Sequence, residues 1–253
     1  MSLWCETAGQ GPELVLLHGW GMNAGVWQPL LEALRERYRV TLIELPGHGE
    51  SLLPQQHDLD AWTRACLQVA PERASWVGWS LGGLIAQRAA LLAPQRIEML
   101  CLVTATPSFV QREGWQAAMS PSVFQQFAEA LVADPQATLK RFLSLQVKGA
   151  EDARVVLRGL NEALAQRPAA DVQGLRAGLQ LLLDGDLRGQ LAQLAVPSRW
   201  LFGERDTLVP AAVAQALPEL LAGARSEVIA GAGHAPLLSH PQQCLQWLEA
   251  CCG

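Results

Sequence analysis

Ser80, Asp206 and His234 stand in the chain in the order hydroxyl, carboxylate, imidazole, and each lies within three residues of a glycine. Ser80 belongs to Gly78-Trp79-Ser80-Leu81-Gly82-Gly83, a G-x-S-x-G pattern that follows an apolar run and opens a helical one. In that setting the small residues permit a sharp strand-to-helix turn that lifts the serine hydroxyl above the edge of a sheet. A helix starting at Leu81 aims its unpaired N–H groups and positive end at the same place. A serine hydroxyl is a weak nucleophile until a base takes its proton, so a histidine must be brought beside it.

His234 is the candidate base. It lies in Gly231-Ala232-Gly233-His234-Ala235-Pro236, between the last apolar run and the last helical pattern. His240 precedes Pro241 and reads as a polar helix-entry residue, while His57 sits in a polar loop facing water. The orienting acid follows an earlier strand: Trp200-Leu201-Phe202-Gly203-Glu204-Arg205-Asp206 offers two acids at a strand end. The G-x-x-D spacing closed by Val209-Pro210 favours Asp206, with Glu204 as competitor and a helix-cap role as the other use of Asp206. Acyl transfer also needs donors for a tetrahedral oxyanion. The backbone N–H of Leu81 is one; that of Trp20, in Leu17-His18-Gly19-Trp20-Gly21, is the other. His18 reads as a structural hydrogen-bonder, and Pro46-Gly47-His48-Gly49 as a turn near the same rim.

These loops need strands to carry them. Apolar runs at 13–17, 39–45, 75–78, 99–104, 199–202 and 226–229 alternate with helical patterns at 26–38, 58–69, 81–92, 211–221 and 241–251. That alternation is the mark of a mostly parallel sheet with covering helices, and ligand-binding loops belong at the strand ends. From about 107 to 186 the rhythm stops, leaving helical patterns at 121–132, 135–147, 150–165 and 172–183. So long an insertion forms its own layer, a cap over the strand ends. Together with the order serine, acid, histidine, the pattern resembles the α/β-hydrolase fold. It implies one domain over 1–253, with a helical lid at about 107–186 inserted between core segments 1–106 and 187–253.

Composition narrows the alternatives. With half its residues apolar, 17% charged and a net charge of −5, the chain reads as a compact globule with no basic field for nucleic acid. No apolar run approaches the roughly 20 residues of a membrane span, and the first residues lack the pattern of a secretory signal. Cys5, Cys66, Cys101, Cys244, Cys251 and Cys252 are scattered without a CxxC pair, and read as reduced thiols of a cytoplasmic protein. There is no GxxxxGK[ST], HExxH or paired CxxC motif, so no metal or organic cofactor is expected. A serine nucleophile argues against the aspartate chemistry of haloalkane dehalogenases and epoxide hydrolases.

The segments Leu16-Leu17-His18-Gly19-Trp20-Gly21, Gly78-Trp79-Ser80-Leu81-Gly82-Gly83 and Gly233-His234-Ala235-Pro236 resemble the biotin-pathway pimeloyl-acyl-carrier-protein methyl ester esterases, almost end to end. The resemblance implies hydrolysis of the methyl ester on a pimeloyl carrier protein by a monomer. It assigns substrate contacts to Trp20, Ser80, Leu81 and His234 and to the lid segment Phe142, Leu143, Ser144, Leu145 and Gln146. It also implies that Arg141, Arg154 and Arg158 receive the acidic carrier protein. A fourth basic position of that family falls at Ala137, a departure that Lys140 or Lys148 would have to offset. Between 138 and 167 there are six lysines and arginines against three acids, a local +3 in an acidic chain. Arg154 and Arg158 share a helix face. Phe142 and Leu145 are expected to face Ser80 across an apolar channel suited to a methylene chain. The alternatives are a broad short-chain carboxylesterase, a carbon–carbon-bond hydrolase on the same scaffold, and a non-catalytic ligand binder.

Overall fold

In the computed structural model, which describes residues 3–148 and 153–253, seven strands form one sheet in the order β1-β3-β2-β4-β5-β6-β7. β2 (Glu13–Leu17), β3 (Arg39–Ile43), β4 (Ala74–Trp79), β5 (Ile97–Val103), β6 (Ser198–Gly203) and β7 (Arg225–Ile229) are parallel. All six fall on the apolar runs. β1 (Cys5–Ala8) was not expected; it pairs antiparallel with β3 at the sheet edge and is mostly exposed, so its sequence carries no apolar signature. Every residue of β4 is buried, as befits a central parallel strand covered on both faces.

Helices α1 (Gln28–Arg37), α2 (Leu59–Val69), α3 (Leu81–Leu92), α8 (Val213–Leu220), the short α9 (Pro236–Ser239) and α10 (Pro241–Cys252) belong to the sheet layers. Between β5 and β6 come α4 (Pro121–Ala133), α5 (Pro135–Gln146), α6 (Ala153–Ala165) and α7 (Val172–Asp184). Their starts are written locally. Pro121, Pro135 and Pro241 occupy first helical positions, where a missing N–H costs nothing. The carboxylates of Asp58, Asp134 and Asp171 cap the first turns of α2, α5 and α7. The helix expected over 150–165 begins on residues outside the described ones. The stretch before α4 is irregular, closed by bridges Val110–Met119 and Arg112–Trp115. On β5, Leu102 packs near Gly83 of α3 while its neighbour Cys101 meets Cys252 of α10, so these helices cover opposite faces of the sheet. No helix among the described residues is long and apolar enough to cross a membrane.

The loops after β2 and β3 are held by buried polar groups. His18 Nδ1 donates to the Gly19 carbonyl, and its Nε2 accepts from Leu45 N–H at 3.0 Å. His48 Nδ1 donates to the Pro46 carbonyl, and its Nε2 accepts from Gly21 N–H at 3.1 Å. Each ring therefore needs a bare Nε2, the neutral tautomer. Burial above all lowers the pKa of His18 to about 3 and of His48 to about 4. Glu44, wholly buried, accepts from Ala24 N–H at 3.2 Å and Glu50 N–H at 2.7 Å. It also accepts from the guanidinium of Arg167, beyond α6, which lies 3.7 Å from the Trp4 ring centroid. The α4–α7 segment is fastened to the same loops by Asn23 Nδ2 to Leu164 O, Trp20 Nε1 to Leu175 O, and Asp171 N to Gly47 O. Backbones touch where α7 crosses the β3 loop: a Cβ on Gly174 would lie 2.4 Å from the Gly47 carbonyl oxygen.

Two outcomes follow from these anchors. Glu44→Ala strands two backbone donors and leaves Arg167 with Glu50 alone, 2.9 Å away, and is expected to lower unfolding free energy in urea by about 3 kcal/mol, Glu44→Gln by less. A histidine held neutral in the fold binds its proton in the unfolded chain first. Stability is therefore intact above the unfolded pKa of 6.5 and falls as pH drops from 6.5 towards about 4 for His48. Over that window the stability–pH slope of His48→Phe is expected to be shallower than that of the parent by about 1.4 kcal/mol per pH unit. Parallel slopes would show that His48 is charged in the folded protein.

Candidate active site

The turn from β4 into α3 places Ser80 at φ 55°, ψ −116°, outside the regions an L-residue normally occupies. Such a conformation costs of order 1–3 kcal/mol and is kept only where surroundings enforce it. Ser80 N–H donates to Val103 O of the neighbouring strand at 3.0 Å, and Gly83 and Leu84 N–H groups close on the Ser80 carbonyl. The helix then passes against β2 so closely that a Cβ on Gly82 would sit 2.4 Å from the Leu17 carbonyl oxygen. The serine therefore stands at the C-terminal edge of the sheet.

The loops after β6 and β7 bring the other two groups to it. His234 Nε2 lies 2.9 Å from Ser80 Oγ, and His234 Nδ1 lies 2.7 Å from Asp206 Oδ2. All three residues are buried. With Nδ1–H donating to the carboxylate, Nε2 is the bare nitrogen that faces the serine hydroxyl. Asp206 also bonds to the backbone that follows it: its Oδ1 accepts from the N–H groups of Leu208 and Val209 at 2.8 and 2.9 Å. These bonds close a turn rather than cap a helix, since α8 begins only at Val213, and they use a different oxygen from the one facing His234. Glu204 turns away to accept from Gly231 N–H at 2.8 Å, steadying the histidine loop. The His234 carbonyl is gripped by Trp79 Nε1 at 2.9 Å and Thr104 Oγ1 at 2.8 Å. His57 is exposed in its loop, and His240 begins α10 with its ring on Ser239 Oγ.

Leu81 occupies the first position of α3, where its N–H has no intrahelical acceptor. Trp20 is on the loop after β2, next to Gly19, whose Cβ position would be 3.4 Å from Ser80 Cβ. The Trp20 indole is spoken for by Leu175, and its ring meets Phe142 edge-on at 4.6 Å between centroids.

Above Ser80 and His234 is a cavity lined by Phe109, Met119, Phe124, Phe127, Phe142, Leu179, Leu182 and Leu208. Apart from Ser80 and His234 its walls are apolar. Sequence reading singled out only Phe142 of these. Phe124 and Phe127 on α4, and Leu179 and Leu182 on α7, are apolar pairs three residues apart, a spacing that core packing produces equally well. Leu145 does not face Ser80 in this cavity. Three residues along a helix turn it about 60° from Phe142, and it lines an adjoining groove with Thr138, Arg141 and Lys148. The two spaces share Met119, Phe127 and Leu208. Leu143 and Gln146 are buried outside the cavity lining, and Ser144 is exposed with its hydroxyl on Lys140 O.

Arg141 is exposed and lies 5.9 Å from the Phe127 ring centroid. Arg154 and Arg158 are exposed on α6, the latter 3.9 Å from Glu162. Lys148 is exposed beside the groove. Ala137 lies in the first turn of α5, and Lys140 is on the same helix. Among the described residues no cluster of His, Cys, Asp and Glu is arranged to hold a metal ion.

Residues 14–247 match the model of the alpha/beta hydrolase family. A pimeloyl-acyl-carrier-protein methyl ester esterase of Aeromonas hydrophila is 43% identical over 98% of both chains. One of Methylococcus capsulatus is 42% identical over 96% of this chain and 95% of its own. Among solved structures, an esterase of Exiguobacterium antarcticum superposes with a TM-score of 0.88 at 25% identity, over 98% of this chain and 94% of that one. The chain belongs to the alpha/beta hydrolase family and, within it, to the family of the pimeloyl-acyl-carrier-protein methyl ester esterases.

Proposed function

We propose that this protein is a serine carboxylesterase that hydrolyses the methyl ester of a pimeloyl chain carried on acyl carrier protein, releasing methanol in biotin synthesis. The observation that carries the chemistry is the unbroken line from Asp206 through His234 to Ser80 at the floor of an apolar cavity. The names of relatives at 40–43% identity over nearly the whole chain support the substrate. His234 Nε2 takes the hydroxyl proton as Ser80 Oγ attacks the ester carbonyl carbon. The oxyanion is met by the N–H groups of Leu81 and Trp20. His234 returns the proton to the methoxy oxygen, methanol leaves, and an acyl-serine remains. Water, deprotonated by the same imidazole, attacks that ester and frees Ser80 and the acid. Asp206 holds the imidazole in its working tautomer throughout.

Helices α4–α7 serve as the lid in this reading: they supply most of the cavity wall and carry the arginines. The methylene chain lies in the apolar cavity, and the groove with Arg141 and Lys148 leads outward to the carrier. Arg141, Arg154 and Arg158 then meet its acidic surface. The reading includes a monomeric, cytoplasmic enzyme, and six free cysteines are compatible with a reducing compartment.

Ser80→Ala and His234→Ala are each expected to cut kcat for pimeloyl-carrier-protein methyl ester by at least about 10⁴-fold, and combining them to add little. Asp206→Asn should lose about 10³-fold or more while Glu204→Gln stays near the parent. A severe Glu204 variant beside a mild Asp206 variant would reassign the acid. For docking, Arg154→Ala/Arg158→Ala is expected to lower kcat/KM for the carrier-linked ester about tenfold at low salt, to flatten its salt dependence, and to leave a free short ester unaffected. Equal losses on both esters would make the arginines lid structure instead.

A further inference from the structure

Three of the six cysteines meet on the face of the sheet covered by α10, the face opposite α3. Cys101 is fully buried in the middle of β5, and its sulfur lies 3.6 Å from that of Cys252 in the last turn of α10. Cys251 and the Ser75 hydroxyl of β4 are the other polar groups that influence this pair of thiols. Cys251 and Cys252 are half-buried and reachable from solvent, whereas Cys101 is not. Nothing in the ester chemistry uses this cluster.

We infer that Cys101 and Cys252 form a peroxide-oxidised dithiol site, in which Cys252 reacts first and Cys101 resolves it to a disulfide. Proximity is the first support: 3.6 Å must shrink only to the roughly 2.05 Å of an S–S bond, a movement within reach of the terminal turn of a helix. Division of labour is the second. The Cys252 thiol is lowered in pKa by the S–H of Cys101, helped by the Ser75 hydroxyl. The Cys101 thiol is raised in pKa by its interactions with the Cys251 and Cys252 thiols, and burial adds to this. The sulfur of the half-buried residue is thus the one favoured as thiolate, the nucleophile in such oxidations. The other titratable or charged groups around the cluster are Tyr38, Glu249 and Arg37, the last two 3.4 Å apart.

The chemistry balances with a hydroperoxide as oxidant. The Cys252 thiolate attacks one peroxide oxygen, an S–O bond forms as the O–O bond breaks, and the departing oxygen takes a proton. Cys101 sulfur then attacks the sulfenic sulfur of Cys252, forming S–S and expelling hydroxide, which leaves as water with the Cys101 proton. The two thiols give up two electrons and the peroxide is reduced by two. The product joins the C-terminal turn of α10 covalently to the centre of the sheet, and an external dithiol reverses it.

The test treats the full chain with stoichiometric hydrogen peroxide, alkylates remaining thiols and maps the peptides. The expected result is an intact mass lower by two hydrogens, alkylation of four of the six cysteines, and a Cys101–Cys252 link reversed by dithiothreitol. Cys251→Ser keeps the link. Cys252→Ser, a change at the half-buried end of α10, abolishes it. Cys101→Ser halts at a sulfenic acid on Cys252 that a 1,3-dione traps. The inference is overturned if exposed Cys5 oxidises while Cys101 and Cys252 both remain alkylatable. It is equally overturned if the link joins Cys251 to either neighbour, or if only links between molecules form.

Discussion

Everything near the site answers to one backbone constraint: the chain must reverse from β4 into α3 through a serine held at φ 55° and ψ −116°. No side chain makes that turn comfortable, so the space around it has to be cleared and the strand ends fastened. Glycines at 78, 82 and 83 clear it, since added Cβ atoms would lie within 2.6 Å of neighbouring atoms at each. The bond from Ser80 N–H to Val103 O fastens it to β5, and Thr104, itself at φ 41°, passes the grip on to the His234 carbonyl. The strained serine and the histidine that faces it are therefore positioned by the same strand end. The 2.9 Å contact between their side chains is thus set on two backbones held by one strand end, with Asp206 orienting the ring.

The loop carrying Trp20 is held differently, by polar groups buried inside the protein. His18 and His48 accept their bonds only while uncharged, and Glu44 must have all its carboxylate bonds paired. Burial favours the first condition and the Arg167 guanidinium meets the second. Because Arg167, Leu164, Asp171 and Leu175 all belong to the stretch from α6 to α7, that half of the insertion is bonded to the loops after β2 and β3. The cavity-facing side chains of α4 and α5 meet the site through aromatic and aliphatic surface instead. The α6–α7 half thus continues the hydrogen-bonded frame of the sheet edge and also adds Leu179 and Leu182 to the cavity wall, which the aromatic rings of α4 and α5 complete.

What could be read from the sequence was whatever has a short-range signature. Strands buried on both faces are continuous apolar runs, and α3 was expected at the residues it occupies, 81–92, because a glycine-rich turn marks its start. β1 lacked such a mark because an exposed edge strand of four residues needs no apolar pattern. His48 read as part of a turn because its partner, Gly21 N–H, is 27 residues away and met only through the sheet. The cavity wall was hidden for a further reason. Phe124, Phe127, Leu179 and Leu182 satisfy the same apolar periodicity whether they fill a core or surround a void, so periodicity carries no information about which. Leu145 went to the adjoining groove because spacing along a helix gives direction only to within a turn.

The apolar cavity has a consequence for the direction of the proposed reaction. A methyl ester is neutral and fits walls of phenylalanine, leucine and methionine without loss of hydration that matters. Its hydrolysis turns the same end of the chain into a carboxylate, and no lysine or arginine lines that cavity to receive it. The carboxylate finds polar partners only at Ser80, His234 and the N–H donors beside them, and the apolar walls around it penalise its charge. The product is thus destabilised where it is made, while the cations lie outside, along the groove and on α6. Ester and acid are distinguished by a single charge, and an apolar wall above Ser80 is the physical device that reads it.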